Sequence, residues 1–430
     1  MGLRRIAIST LCVFPIIYFL IAYSGSKEPR GGVDRITARI APRNGFLPLR
    51  VGQNFTIKSG PVSFLKIVEN PQNRFDMKGN DVIVVLHIQK TAGTSFEKFL
   101  VKHLDSPYPC DCTSIKKRCT CLRPHSEREL WLFSRYSTGW LCGLHADFTE
   151  LFVAKCVDRE MDRKEGTHTK RRLFGATFLR DPFTRIISEY RHVNRGATWM
   201  ASRHICMGRE PTLDELPSCY DFDIGWDGVT LDEFLDCPHN LAFNRQTRML
   251  ADLTKIGCYS NKLPAAERDR IMLESAKENL RGLAYFGIKE KMEESQFLFQ
   301  RLFGLRFTKK LSEWSKSKSN NTVVSLAQMR KIKELNALDW ELYEYAVALF
   351  NERVTMIRQR YPEPEFYVVI DGSKQNETIY FDRDEKKHLR KADDAPIDED
   401  TAREDSDMED NYEDDHDNAI EKVQFQRQNY

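Results

Sequence analysis

Residues 81–100, DVIVVLHIQKTAGTSFEKFL, constrain this chain more than any other stretch. The apolar run from Asp81 to Leu86 predicts a buried strand, and the residues from Gly93 onward predict a helix. Between them lies a tight loop with Gly93 and the small hydroxylated residues Thr91, Thr94 and Ser95. A strand, a tight loop and a helix N-terminus in succession make backbone N–H groups converge, and the helix dipole adds partial positive charge. That is a cradle for an anion. The ordinary alternative is a plain strand–helix turn. The loop departs from a Walker A loop, which ends in Gly-Lys-Ser/Thr. Here the cation, Lys90, comes first and the hydroxyls follow. This order suits a nucleotide with a 5′-phosphosulfate better than a triphosphate held by lysine and Mg²⁺.

The N-terminus predicts the compartment. Residues 6–23, IAISTLCVFPIIYFLIAY, are uncharged and mostly apolar, long enough for a tilted membrane helix. Arg4 and Arg5 precede it, so the positive-inside rule leaves residues 1–5 in the cytosol and the rest across the membrane. We read residues 6–24 as a single-pass type II signal anchor. A cleaved signal peptide is the alternative, disfavoured by the long apolar stretch and the lack of an A-x-A site. Cysteine usage agrees with an oxidising lumen. Eleven cysteines occur; Cys12 lies in the anchor and ten lie beyond it, an even number that predicts disulfides of undetermined pairing. The C-x-C spacing at Cys110, Cys112, Cys119 and Cys121 is not the C-x₂₋₄-C of zinc modules. Sequons at Asn54, Asn320 and Asn376 are compatible with glycosylation.

Residues 25–75, rich in Gly, Pro, Arg and Asn, read as a luminal stem. Residues 76–370 carry nearly all the apolar periodicity and predict one large α/β domain. The tail, 371–430, holds 20 Asp/Glu against 9 Lys/Arg, a net of −11; the whole chain is +2, which leaves +13 on residues 1–370. The near-neutral total therefore divides into a basic body, suited to a polyanionic partner, and an acidic tail with the composition of disorder.

Within the domain, strands are predicted at 81–87, 173–179 and 283–288, and helices at 93–104, from 182 through His192, and at 264–281, 291–303 and 325–360. This alternation predicts a central parallel sheet flanked by helices. In open parallel sheets ligands bind at the C-terminal strand edge. The second strand ends in Arg180-Asp181-Pro182, which puts Arg180 at that edge, and Ser188 follows on the next helix. An arginine fork with a hydroxyl can hold a phosphate; the plain alternatives are an ion pair with Asp181 and a surface serine. Two phosphate sites on neighbouring strand ends fit a nucleotide with separated 5′ and 3′ anionic groups.

At this point the chain resembles a known family. HIQKTAGTSF (87–96), PCDC…CTC (109–121), WLFSRYSTGWLCGLHADFTEL (131–151), FLRDPFTRIISEYRHV (178–193) and RGATW (195–199) are similar, in order and spacing, to the Golgi sulfotransferases, most closely the heparan sulfate 6-O-sulfotransferases. The resemblance covers about 76–360. It implies a P-loop-like sulfotransferase fold, 3′-phosphoadenylyl sulfate (PAPS) as donor, no metal, heparan sulfate and not a nucleic acid as the polyanion, and a Golgi membrane address. It implies a donor loop formed by His87, Ile88, Gln89, Lys90, Thr91, Ala92, Gly93, Thr94 and Ser95, with Lys90 also neutralising the leaving group. It assigns the 3′-phosphate to Arg180 and Ser188, and a covering loop to Ser312, Glu313, Trp314, Lys318 and Ser319, where the wording departs from the family. Ala92 and Ser95 stand where relatives often have Gly and Thr. The implied proton acceptor is His145, in Trp140-Leu-Cys-Gly-Leu-His-Ala-Asp147; Asp147 is a possible orienting partner, although a two-residue spacing does not secure contact. Substrate positions are Lys117, Arg118, Arg135, Trp140, His192 and Trp199, where arginines match sulfate and carboxylate and indoles match sugar faces. A 2-O regiospecificity and a non-catalytic luminal heparan-binding protein are the alternatives. A P-loop kinase is disfavoured by the absent Gly-Lys-Ser/Thr and the luminal address.

Overall fold

The apolar run after Asp81 folds as expected, because every residue from Asp81 to Val85 is buried and such a strand can only be central to a sheet covered on both faces. The computed structural model describes residues 61–112, 118–197, 202, 204–220, 225–311 and 322–361. In chain order these form α1 (Phe64–Glu69), β1 (Asp81–Val85), α2 (Gly93–Lys102), β2 (Leu104–Asp105), β3 (Leu132–Phe133), α3 (Cys156–Glu165), β4 (Arg172–Leu179), α4 (Pro182–Val193), α5 (Leu231–Asp236), α6 (Arg245–Leu250), α7 (Ala265–Gly282), β5 (Tyr285–Ile288), α8 (Met292–Phe303), β6 (Arg306–Phe307), α9 (Leu326–Leu335) and α10 (Ala337–Arg360).

Strands β3, β1, β4 and β5 lie side by side in that order, all parallel, and β2 pairs with β6 in a separate antiparallel ladder. The register sets Ile83 opposite Leu132 on one side and Phe174 on the other. Parallel strands share one C-terminal edge, so the loops after β1, β3 and β4 emerge together. Helices flank the sheet, and the core runs through it: Phe96 of α2 packs on Phe178, Tyr285 and Phe299 at centroid distances of 4.8, 5.7 and 5.4 Å. Gly287 of β5 leaves room for that packing, since a Cβ there would lie 2.4 Å from Phe178 Cζ.

Several points differ from the sequence reading, the helix expected over 93–104 among them: it ends at Lys102 and Leu104 opens β2. Residues 61–75, read as stem, belong to the packed body: Phe64, Ile67 and Val68 are buried, and Val62 N–H donates to Leu173 O at 2.7 Å. The apolar pattern over 325–360 is two helices, interrupted at Asn336, whose buried side chain donates to Ile332 O at 2.8 Å and accepts from Asn244 N–H at 3.2 Å. An asparagine that caps the first helix with its own amide competes with helix continuation. The two-residue β3 was not anticipated, being too short to show a period. All ten cysteines beyond Cys12 are paired, as 110–121, 112–119, 142–156, 206–258 and 219–237. No helix among the described residues is long and apolar enough to cross a membrane; the expected anchor, 6–24, and the acidic tail lie outside them.

Candidate active site

The loop after β1 is built on two left-handed residues, Lys90 (φ 63°) and Ala92 (φ 75°), which turn the chain sharply into α2. Thr91 is buried and its Oγ1 donates to Ile88 O at 2.9 Å, closing the loop on itself. Ala92 supplies no side-chain cap to α2, and a helix N-terminus is where anion-binding loops present their N–H groups. Gly93 is required by a close approach: a Cβ there would sit 3.1 Å from both Cε1 and Nδ1 of His87.

His87 is buried, and its Nδ1 bonds Oε1 of Glu97, a fully buried carboxylate one helical turn into α2. The other oxygen of Glu97 accepts the backbone N–H of Arg135 at 2.8 Å. One carboxylate thus ties the loop after β1 to the segment after β3. Arg135 in turn extends Nη1 to within 3.4 Å of Thr94 Oγ1 and lies 5.4 Å above the Trp140 ring.

His145 reaches this group from a constrained loop. Gly143 N–H donates to Trp140 O at 2.9 Å, the Cys142–Cys156 disulfide fixes the loop to α3, and Asp147 Oδ1 accepts from Glu150 N–H at 3.0 Å. His145 itself is left-handed, with φ 55°. Its ring lies 4.8 Å from that of Trp140 and 5.3 Å from that of His87, and His87 meets Trp140 edge-on at 5.5 Å. Part of the residue's surface remains open, yet its imidazole pKa is held well below the ordinary value, by burial first and then by His87, Arg135 and Arg245; a hydrogen bond to the His87 backbone acts in the opposite sense. The Nδ1 of His145 is buried, and a depressed pKa leaves the imidazole neutral. Burial of Asp147 outweighs the hydrogen bonds it accepts and the nearby Arg248, and raises its pKa to about 7. Its carboxyl caps the turn that follows it.

Arg180 stands at the end of β4, beside the same loop: Nη1 donates to Lys90 O at 3.1 Å and Nε to Thr184 Oγ1 at 3.0 Å. Ser188 is half-buried on α4, and His192 is buried on the same helix with Nδ1 3.5 Å from Arg195 Nη2. Arg118 is exposed and donates to Thr138 O at 3.4 Å. The structure therefore brings His87, Lys90, Thr94, Arg135, Trp140, His145 and Arg180 to one sheet edge. Lys117, Trp199, Ser312, Glu313, Trp314, Lys318, Ser319 and the sequon residues Asn54, Asn320 and Asn376 lie outside the described residues. Sequence reasoning missed Glu97, which reads only as another position of an amphipathic helix. No cluster of metal-ligating side chains occurs among the described residues.

The site lies at the C-terminal edge of a parallel sheet, where the loop after β1 turns sharply into α2 and Arg180 sits beside it. The chain belongs to the sulfotransferase family, whose pattern matches residues 73–346. It is similar to human heparan-sulfate 6-O-sulfotransferase 1, 51% identical over 289 residues covering 66% of this chain and 69% of the relative. It is also similar to chicken heparan-sulfate 6-O-sulfotransferase 2, 47% identical over 340 residues covering 78% and 79%, and to zebrafish heparan-sulfate 6-O-sulfotransferase 3-B, 49% identical over 292 residues covering 68% and 69%.

Proposed function

We propose that this chain transfers sulfonate from PAPS to the 6-hydroxyl of glucosamine units in heparan sulfate, as a single-pass type II Golgi membrane protein with a luminal catalytic domain. The observation that carries the proposal is the meeting of the His145 imidazole with the Lys90 loop and Arg180 at one strand edge. Names and identities of the relatives support the acceptor and the position sulfated.

PAPS fits the residues present. Its 5′-phosphosulfate suits the tight loop after β1, where Lys90 and Ala92 turn the chain into the N-terminus of α2. Its 3′-phosphate needs a second cation, and in this reading Arg180, just after β4, and Ser188 of α4 take it. PAPS supplies the activated sulfonate. The protein positions it and neutralises charge, the two effects that dominate related phosphoryl transfers. In this reading Lys90 offsets the charge that develops on the departing phosphate oxygen.

His145 is the base. An acceptor hydroxyl must lose its proton as it attacks, and a base works best when already deprotonated at the working pH. The depressed pKa keeps His145 neutral, and a neutral imidazole carries one nitrogen that can accept a proton. Glu97 holds His87 and Arg135 in register with that ring. In this reading Arg118, Arg135 and Trp140 hold the sugar chain, the arginines for sulfate and carboxylate and the indole for the pyranose face.

The test is incubation of the purified chain with ³⁵S-labelled PAPS and N-sulfated, O-desulfated heparan, followed by disaccharide analysis. The proposal expects label on O6 of glucosamine. Label on the uronic acid O2 alone would leave the transferase and overturn the position. Saturable polysaccharide binding without transfer would leave only a heparan-binding protein.

A further inference from the structure

The ladder between β4 and β5 ends at the pair Leu179 and Ile288, one residue short of Arg180. The backbone groups of Arg180 are met by one side chain. Gln246 Oε1 accepts the Arg180 N–H at 2.9 Å, and Gln246 Nε2 donates to the Arg180 carbonyl at 2.9 Å. The amide imitates one more rung of the sheet and fixes the peptide planes on both sides of Arg180.

Gln246 is itself held. It is buried in α6, and α6 is clamped by Asp339 of α10. Asp339 accepts Gln246 N–H at 3.2 Å, Thr247 N–H at 2.8 Å and Thr247 Oγ1 at 2.8 Å. Arg245 and Arg185 both pair with the buried Glu189 of α4, which ties α6 to the helix that follows Arg180. The next residue is also pinned: Asp181 N–H donates to Glu290 Oε1 at 3.1 Å, and the other oxygen of Glu290 accepts the Tyr343 hydroxyl at 2.7 Å. The guanidinium of Arg180 turns to Lys90 O through Nη1 and to Thr184 Oγ1 through Nε.

We infer that Gln246 is a positioning residue for the donor nucleotide: it aims the Arg180 guanidinium at the 3′-phosphate and so sets how strongly the enzyme prefers nucleotides that carry that phosphate. The inference rests on the reading of Arg180 as the 3′-phosphate ligand. It is separable from a general packing role, because packing loss weakens every nucleotide alike, whereas a misaimed Arg180 weakens only those with a 3′-phosphate.

The experiment measures dissociation constants of adenosine 3′,5′-bisphosphate and adenosine 5′-phosphate by calorimetry on the full chain. The variants are Gln246→Met, Gln246→Glu and Arg180→Ala, each with a melting curve as a check on folding. Methionine keeps the volume and removes both bonds; glutamate keeps an acceptor for the Arg180 N–H but turns an oxygen toward its carbonyl. Two bonds of ordinary strength predict that Gln246→Met lowers the bisphosphate preference about tenfold, with 5′-phosphate affinity little changed. Gln246→Glu should lower it as well, so a Met variant that fails to fold leaves the glutamate variant to decide. If Arg180→Ala erases the preference while both Gln246 variants keep it, the positioning role is refuted and the donor reading stands. If Arg180→Ala keeps the preference, the donor reading itself fails, and this inference with it.

Discussion

Replacing Gly93 by alanine adds a single methyl group at the most crowded point of the donor loop. Its Cβ would meet Cε1 and Nδ1 of His87 at 3.1 Å each, so the ring or the helix must move by a few tenths of an ångström. The ring has little freedom. Its Nδ1 is bonded to buried Glu97, and its faces and edge meet His145 and Trp140 at centroid distances of 5.3 and 5.5 Å. Gly93 is the first residue of α2, and alanine there favours the helix by at most about 1 kcal/mol. Overpacking of a tight site costs about 1–3 kcal/mol. The second effect wins, and it falls on the three-ring group rather than on the distant core. If all of it opposes the reacting geometry, kcat/KM for PAPS drops by about 5- to 150-fold, each 1.36 kcal/mol being tenfold. Melting should fall by only a few degrees, since the two contributions to stability partly cancel. Initial rates with labelled PAPS and a thermal melt, run on the same preparation, measure both. A Gly93→Ala enzyme with kcat/KM within twofold of wild type would refute the claim that His87 is held rigidly against this loop.

His145→Ala should lower turnover by about 10²- to 10⁴-fold, the usual size of general-base catalysis, while leaving adenosine 3′,5′-bisphosphate affinity near wild type. Because the His145 pKa is depressed, the neutral base persists as pH falls, and the acid limb of kcat/KM should lie below 6.5. Ala92 occupies φ 75°, a conformation that costs a non-glycine residue about 1–2 kcal/mol, part of which glycine returns through its freer unfolded chain. Ala92→Gly should therefore stabilise the protein by about 0.5–1 kcal/mol in a denaturant titration. Asp147 has its pKa raised from 3.8 to about 7 in the fold, so the native state binds the extra proton and the carboxyl's contribution to stability is lost as pH rises between those values. Asp147→Asn should remove that slope: the melting difference between variant and wild type moves in the variant's favour from pH 5 to pH 8.

Local pattern made the sheet legible. The runs at 81–86 and 173–179 are apolar without alternation, and only a parallel strand covered on both faces tolerates that, which fixed β1 and β4 to within a residue or two. The edge position of Arg180 followed from the same reasoning. What could not be read was side-chain pairing at long separation. Gln246 meets Arg180 across 66 positions, and Asp339 meets Thr247 across 92. Neither has a periodic signature, because a residue that caps another segment obeys the geometry of that segment and not of its own. Glu97 was hidden differently, as a charge on a helix whose buried face is otherwise apolar. Asn336 broke a helix whose apolar spacing runs on through it, since a side-chain amide donating to the Ile332 carbonyl one turn back leaves no trace in hydrophobic period. The disulfide count was accessible from parity and compartment; the pairing needed the fold.

The central claim is that two neighbouring strand ends grip the two charged ends of one nucleotide beside a basic imidazole. A crystal structure with adenosine 3′,5′-bisphosphate tests it directly. The expected density has the 5′-phosphate among the amides of residues 90–95 with Lys90 Nζ in contact, and the 3′-phosphate on Arg180 and Ser188. A well-ordered nucleotide seated elsewhere, touching neither Lys90 nor Arg180, would contradict it.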